Sequence, residues 1–254
     1  MIRNLIQTIL KKRGYEIIKR NTRLDKEGLP VDFDVQTKEI IKETKSYTLT
    51  SPERIASLVN AIQYITKNQI QGDIVECGVW KGGSSMAAIK SLIKANDITR
   101  DIYLYDTFEG MSAPTKEDKA VDGESAEVML TKSDINDATS VWCFSSIEEV
   151  KNNIATLNYP TEKVYFVKGK VEDTIPTTIP QKIAVLRLDT DWYESTKHEL
   201  EHLFPLLVSG GVLIIDDYGH WEGARKAVDE YIEKNNLNIL LNRIDYTGRI
   251  AIKP

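Results

Sequence analysis

Four carboxylates carry the most chemistry in this sequence. Asp189 and Asp191 sit in Leu-Arg-Leu-Asp-Thr-Asp, and Asp216 and Asp217 close Leu-Ile-Ile-Asp-Asp. Each pair follows an apolar, β-branched run that predicts a buried strand. In an open parallel sheet the carboxyl ends of the strands line the ligand crevice, so two such ends bring four carboxylates around one spot. That much negative charge is costly to gather unless a cation sits there. Ligands made only of oxygen, with no cysteine or histidine beside them, select a hard ion, Mg²⁺ ahead of Ca²⁺ or Mn²⁺.

A glycine loop, Glu76-Cys-Gly-Val-Trp-Lys-Gly-Gly-Ser-Ser, lies between a strand and a helix. Glycines there let the backbone turn tightly and approach a ligand. The loop is not a dinucleotide fingerprint, because Trp80 stands where the second glycine belongs. Nor is it a phosphate-binding loop. Gly78 and Gly83 have the required spacing, but Ser84 replaces the lysine, so no positive charge is committed to a polyphosphate. Asp106 ends the next strand, where a carboxylate accepts hydrogen bonds from ribose hydroxyls. Glu76 lies near where a cationic amino-acid group would sit. A ligand with a ribose, a positive charge and no phosphate fits S-adenosylmethionine better than NAD or ATP. A tight strand-to-helix turn with no ligand is the plainer alternative.

His198-Glu-Leu-Glu-His202 matches the zinc-protease pattern literally. At about 100° per residue both histidines point away from Leu200 and its apolar face, toward water. A zinc site is therefore not expected. His220, in Tyr-Gly-His-Trp just after the Asp pair, is a candidate to touch substrate, to act as an auxiliary base or to cap its loop.

These residues need a scaffold of alternating strands and helices. Ser51-Pro52 opens a helix whose stripe is Leu58, Ile62 and Ile65. Strands are expected at Asp73-Ile-Val-Glu-Cys, Asp101-Ile-Tyr-Leu-Tyr-Asp, Lys163-Val-Tyr-Phe-Val-Lys-Gly, Ile183-Ala-Val-Leu-Arg-Leu-Asp and Gly211-Val-Leu-Ile-Ile-Asp-Asp. Helices are expected from about Ser84 and near 193–208 and 223–235. This pattern predicts an α/β fold with a mainly parallel sheet covered on both faces. Asn238-Ile-Leu-Leu-Asn-Arg-Ile and Arg249-Ile-Ala-Ile, around Tyr246-Thr-Gly, predict a closing antiparallel hairpin. Residues 110–160 interrupt the alternation with a polar stretch, expected to be an active-site lid. The chain reads as an N-terminal helical extension over 1–50 and one catalytic domain over 51–254.

Composition excludes several classes. The length of 254 residues suits one large α/β domain, and 41% hydrophobic with 28% charged residues is ordinary for a soluble protein. A net charge of −5 argues against general affinity for nucleic acid. Two cysteines, Cys77 and Cys143, make no disulfide framework. No membrane span or signal peptide is evident, so the cytoplasm is the expected compartment. Residues 1–23 are basic, with an apolar stripe of Ile2, Leu5, Ile6, Ile9 and Leu10. They suggest a helix packing on its own fold or on a partner subunit, ahead of one lying on anionic lipid.

Four stretches in order, Glu-Cys-Gly-Val-Trp-Lys-Gly-Gly, Tyr-Asp-Thr-Phe-Glu-Gly-Met, Leu-Asp-Thr-Asp-Trp-Tyr-Glu-Ser-Thr and Ile-Ile-Asp-Asp-Tyr-Gly, resemble the macrocin O-methyltransferase family over roughly residues 45–254. That resemblance implies a class I methyltransferase, a seven-stranded Rossmann-like sheet. It also implies S-adenosylmethionine, Mg²⁺ and usually a homo-oligomer. Matched residue by residue, it places metal ligands at Asp189, Asp216 and Asp217 and the general base at Asp191. Cofactor contacts fall at Glu76, Cys77, Gly78, Ser84, Asp106, Thr107, Gly169 and Asp189. A sugar hydroxyl is a far weaker acid than a carboxylic acid. A Lewis-acidic ion binding it, and Asp191 taking the proton as methyl transfer proceeds, would meet that difficulty. Trp192, Tyr193 and Trp221 are candidate walls for the sugar, with His220 beside them. The family's acceptors are macrolide and aminocoumarin glycosides. The Lys- and Ile-rich composition leaves open a surface-polysaccharide or other glycoside instead. A Mg²⁺-dependent hydrolase or phosphotransferase is the rival enzyme reading, and a non-catalytic sugar- or nucleotide-binding protein the rival outside enzymes.

Overall fold

Strands buried on both faces are built mostly from apolar residues, and the central strands follow this except at Glu76 and Arg187, which are buried and pair with each other. The computed structural model describes residues 10, 11, 13, 23–137 and 139–254. Its elements are α1 (Val35–Thr44), α2 (Pro52–Lys67), β1 (Asp73–Cys77), α3 (Gly83–Lys94), β2 (Ile102–Asp106), α4 (Ala126–Lys132), α5 (Ile147–Ala155), β3 (Val164–Lys168), α6 (Val171–Thr174), β4 (Ile183–Leu188), α7 (Tyr193–Leu203), β5 (Leu207–Ile215), α8 (Glu222–Lys234), β6 (Asn242–Arg243) and β7 (Arg249–Ile252). The basic N-terminal helix expected over residues 1–23 lies outside the described residues, save for positions 10, 11, 13 and 23.

The chain divides into two compact units, Met1–Lys38 and Glu39–Pro254. The boundary expected near residue 50 therefore falls inside the larger unit. In the smaller one, Asp25 pairs with Lys38 at 2.9 Å, and Asp34 accepts the Thr37 amide at 2.8 Å.

In the larger unit seven strands form one sheet in the order β3-β2-β1-β4-β5-β7-β6. β1 through β5 pair in parallel, and β7 runs antiparallel to both β5 and β6. This is the class I methyltransferase arrangement with its closing antiparallel strands. Alternate residues feed the two faces. Ile74, Ile102, Leu104, Val185, Val212 and Ile214 pack with Ile62, Ile65, Ile89 and Leu92 on one side. Val75, Tyr105, Leu186, Leu213 and Ile215 pack with Leu200, Leu203 and Val228 on the other.

Helix α2 starts as the sequence predicts, with Ser51 accepting the Arg54 amide and Pro52 in the first turn. Helix α7 stops earlier than expected. Pro205 follows in a short 3-10 turn, and β5 begins at Leu207. Residues 110–160 hold α4 and α5. Among the described residues no helix is long and apolar enough to cross a membrane.

Candidate active site

The strand order reverses between β1 and its two neighbours β2 and β4, and there the sheet opens a crevice. Two hydrogen bonds carry the pairing past the strand ends, Gly78 N to Tyr105 O at 2.9 Å and Asp189 N to Cys77 O at 2.8 Å. Gly78 has φ +83°, and a Cβ there would collide with the Asp189 carbonyl. Only glycine lets the two chains approach so closely. Above this floor lies a cavity of about 430 Å³.

One end of the cavity belongs to Asp106. Its carboxylate accepts amides from Val79 at 2.7 Å, Trp80 at 3.1 Å and Phe108 at 2.7 Å. Burial pushes this carboxyl up, and the three amides oppose the shift. Gly78, Ser84, Thr107 and Gly169 line the same cavity.

The other end is acidic. Carboxylate oxygens of Asp189, Asp191 and Asp217 lie within 4.8 Å of one another. Asp191 has φ +67°, a left-handed conformation rare for a residue with a side chain. Its amide donates to Asp217 Oδ2 at 3.3 Å. Burial, and behind it the charge on Asp189, pushes Asp191 up to about 7. Burial and the neighbouring carboxylates hold Asp217 well above the usual carboxylate range.

Asp216 lines the cavity but is engaged differently. Arg187 Nη2 donates to its Oδ1 at 2.7 Å, and Arg54 Nη1 pairs with its Oδ2. The structure thus gathers Asp189, Asp191 and Asp217, and leaves Asp216 beside them between two guanidiniums.

Arg187 is the residue that sequence reasoning overlooked. It is buried in β4, directly opposite Glu76 in register. Its Nη1 reaches Glu76 at 2.6 Å and Asp189 at 2.7 Å, and its Nη2 also reaches Thr50 at 3.0 Å. One guanidinium therefore ties together the ends of β1, β4 and β5. The signal was present, since an arginine inside Ile-Ala-Val-Leu-Arg-Leu must find buried partners.

Several expected contacts fall elsewhere. Glu76 turns to Arg187 and Ser85, and burial pushes its carboxyl up to about 7 against the pull of Arg187. Cys77 is wholly buried in the core. Neither reaches the cavity wall. Trp192 is buried edge-on to Trp221 at 4.9 Å, with its indole donating to Ser112 O. Tyr193 points outward and donates to Glu230 at 2.7 Å. Both leave the wall because helix α7 begins at Tyr193 and turns them from the crevice.

Trp221 and His220 do line the cavity, joined by Leu49, Met111 and Tyr246. His220 Nδ1 meets the Tyr246 hydroxyl at 2.6 Å, and burial lowers its pKa, which favours the neutral ring. Cys143 also lines the cavity, and burial beside the Asp191 carboxylate pushes its thiol up, away from thiolate chemistry.

The two histidines of the zinc-protease pattern are half-buried rather than open to water. His198 Nε2 meets Ile175 O at 2.9 Å, and its ring lies 4.4 Å from that of His202. Among the described residues the only group placed to hold a metal is the Asp189, Asp191 and Asp217 cluster.

The family model described as Macrocin-O-methyltransferase (TylF) matches residues 6–251. An 8-demethyl-8-(2,3-dimethoxy-alpha-L-rhamnosyl)-tetracenomycin-C 4'-O-methyltransferase of Streptomyces olivaceus is 33% identical over 203 residues, covering 80% of this chain and 74% of that protein. A demethyldecarbamoylnovobiocin O-methyltransferase of Streptomyces niveus is 32% identical over 204 residues, with the same 80% and 74% coverage. The solved structure of the O-methyltransferase NovP superposes with a TM-score of 0.69 at 28% identity, covering 98% of this chain and 97% of that one.

Proposed function

The chain belongs to the macrocin O-methyltransferase family and is an O-methyltransferase, and from that premise we propose that it methylates a sugar hydroxyl of a glycoside, using S-adenosylmethionine and a Mg²⁺ ion. The family implies the methyl donor. The carrying observation for the ion is the gathering of Asp189, Asp191 and Asp217 in one wall of the cavity. The donor chemistry fits a hard cation. All three groups are carboxylates, and two of them are pushed up by their own crowding and burial.

The two ends of the cavity divide the work. At the Asp106 end, the Gly78 turn brings backbone close to a ligand. The Asp106 carboxylate accepts three amides and, at 3.4 Å, the Thr107 hydroxyl, whose long contact a ribose hydroxyl would replace. At the acidic end, Asp189 and Asp217 would hold the ion. When bound there, Mg²⁺ supplies Lewis acidity that stabilises negative charge developing on a hydroxyl oxygen.

Asp191 is the group best suited to receive the proton. Its carboxyl makes no ion pair with a described residue, faces the cavity and sits near 7, close to where a general base works best. Leu49, Met111, Trp221 and Tyr246 give the acceptor side apolar and aromatic surfaces suited to a sugar face. The substrates named for the two relatives, a rhamnosyl-tetracenomycin and demethyldecarbamoylnovobiocin, support a glycoside acceptor.

The deciding comparison is Asp191→Asn against wild type, assayed on a panel of glycosides. The variant is expected to bind S-adenosylhomocysteine as wild type does and to fill with Mg²⁺ at saturating concentration, where kcat still falls by about 10²–10⁴, the scale of a lost general base. EDTA should silence the wild type. Full activity in EDTA would remove the ion from the reading. Near-normal kcat in Asp191→Asn would move the base elsewhere.

A further inference from the structure

Arg54 occupies a position that local helix chemistry disfavours. It is the third residue of helix α2, after the Ser51 cap, where a capping box would carry glutamate or glutamine. A cation in a first turn also opposes the helix dipole. Its surroundings supply the reason. Arg54 Nε donates to Asp245 Oδ2 at 3.0 Å, Asp245 accepts the Ser51 hydroxyl at 2.7 Å, and Arg54 Nη1 pairs with Asp216. The side chain is 15% exposed and lines the cavity. Its stem runs over Gly248, where a Cβ would lie 2.9 Å from both Cγ and Cδ. The hairpin turn is therefore cut away to let this one side chain reach the acidic wall.

The charges on that wall explain what it does there. Among the described residues, the guanidiniums that pair with Glu76, Asp189 and Asp216 are those of Arg54 and Arg187, and Asp191 and Asp217 lie beside them without an ion pair. Arg187 is buried and shared among three acids, so its charge is committed. Arg54 lies at the cavity surface and is the cation that remains adjustable.

We propose that Arg54 is a positioning residue that holds Asp216 as its counter-ion in competition with a divalent cation, and so lowers the affinity of the acidic wall for that cation. The proposal rests on the cation reading above. A cluster stripped of Arg54 would have an unpaired fourth carboxylate and one positive charge fewer beside it. It would hold a cation more tightly and leave less of its charge for an acceptor hydroxyl. Binding and turnover should then move in opposite directions, which loss of a merely structural contact would not produce.

Calorimetric titration of the full chain with Mg²⁺ alone tests this. Arg54→Gln should tighten binding about tenfold, and Arg54→Lys, which keeps the charge, should stay within about threefold of wild type. Gly248→Ala, which pushes the arginine stem aside without altering its chemistry, should shift affinity in the same direction as Arg54→Gln. It decides the matter if that variant does not fold. At saturating Mg²⁺, kcat of Arg54→Gln should fall. Unchanged or weakened Mg²⁺ binding in Arg54→Gln and Gly248→Ala would overturn the proposal and make Arg54 a device that orients Asp216 toward the ion. Equal tightening in Arg54→Lys would overturn the charge argument. If wild type itself binds no Mg²⁺, the cation reading falls and takes this proposal with it, an outcome recognisable before any variant is measured.

Discussion

Asp191 is held in a left-handed turn among other carboxylates, and its ionisation must couple to whatever cation the cluster takes. In the free protein its carboxyl is raised to about 7, from about 4 in an unfolded chain. A carboxyl raised by folding keeps a proton that the unfolded chain has released. Its contribution to stability is complete below about pH 4 and is lost as pH climbs through about 7. A cation needs the same groups ionised, so binding expels the proton. Mg²⁺ affinity should rise between about pH 6 and about pH 8, and the Mg²⁺-induced gain in Tm should be larger at the higher pH. Titration and melting at both values check this; identical affinities would show a cluster already ionised at the lower pH. The acids themselves were legible in the sequence because strand ends announce where a crevice lies. Glu76, Trp192 and Tyr193 were misplaced for a different reason. One residue along the chain turns a side chain to the opposite face, and neither the pairing of Glu76 with Arg187 nor the start of helix α7 can be read from adjacency alone.

Elements were legible in proportion to how local their causes are. The five parallel strands declare themselves by continuous apolar runs, and helix α2 by its Ser-Pro start. Segment 110–160 gave no such pattern because distant partners fix it. Asp118 is wholly buried and accepts the Tyr193 amide at 2.7 Å, the Thr115 amide at 2.6 Å and the Thr115 hydroxyl at 3.0 Å. The Trp192 indole reaches back to Ser112 O at 3.0 Å. The segment in turn supplies Met111, Ser112, Thr139, Ser140, Val141 and Cys143 to the cavity. Asp118→Ala orphans these donors and should cost about 1–3 kcal/mol. Amide exchange across 112–143 should speed up and the acceptor KM should rise, with S-adenosylhomocysteine affinity less affected. Exchange that stays at the wild-type rate would show that the aromatic contacts alone hold the segment. In the wild type, the same amides should slow when cofactor and acceptor bind, as a lid requires.

At the scale of the whole molecule, the sheet order places every ligand-facing loop at one edge, and all cavity-lining residues lie between positions 48 and 247. They belong to the unit Glu39–Pro254. Removing residues 1–33, which keeps Asp34 at the start of α1, should therefore leave S-adenosylhomocysteine binding within about threefold of wild type, less than 1 kcal/mol. A loss of binding measured by calorimetry would show that the N-terminal unit shapes the site.

The hub formed by Arg187 has a bearing on how such enzymes diversify. It joins three strand ends beneath the cavity floor, whereas Leu49, Met111, Trp221 and Tyr246 come from separate loops around the rim. On the proposed reading, substitutions in the rim would change which acceptor is accepted without disturbing the ion-pair hub below. A library directed at Leu49, Met111 and Tyr246 would sample new acceptors while leaving Asp191, the proposed base, in place. One that touched Arg187 would sample mostly unfolded protein.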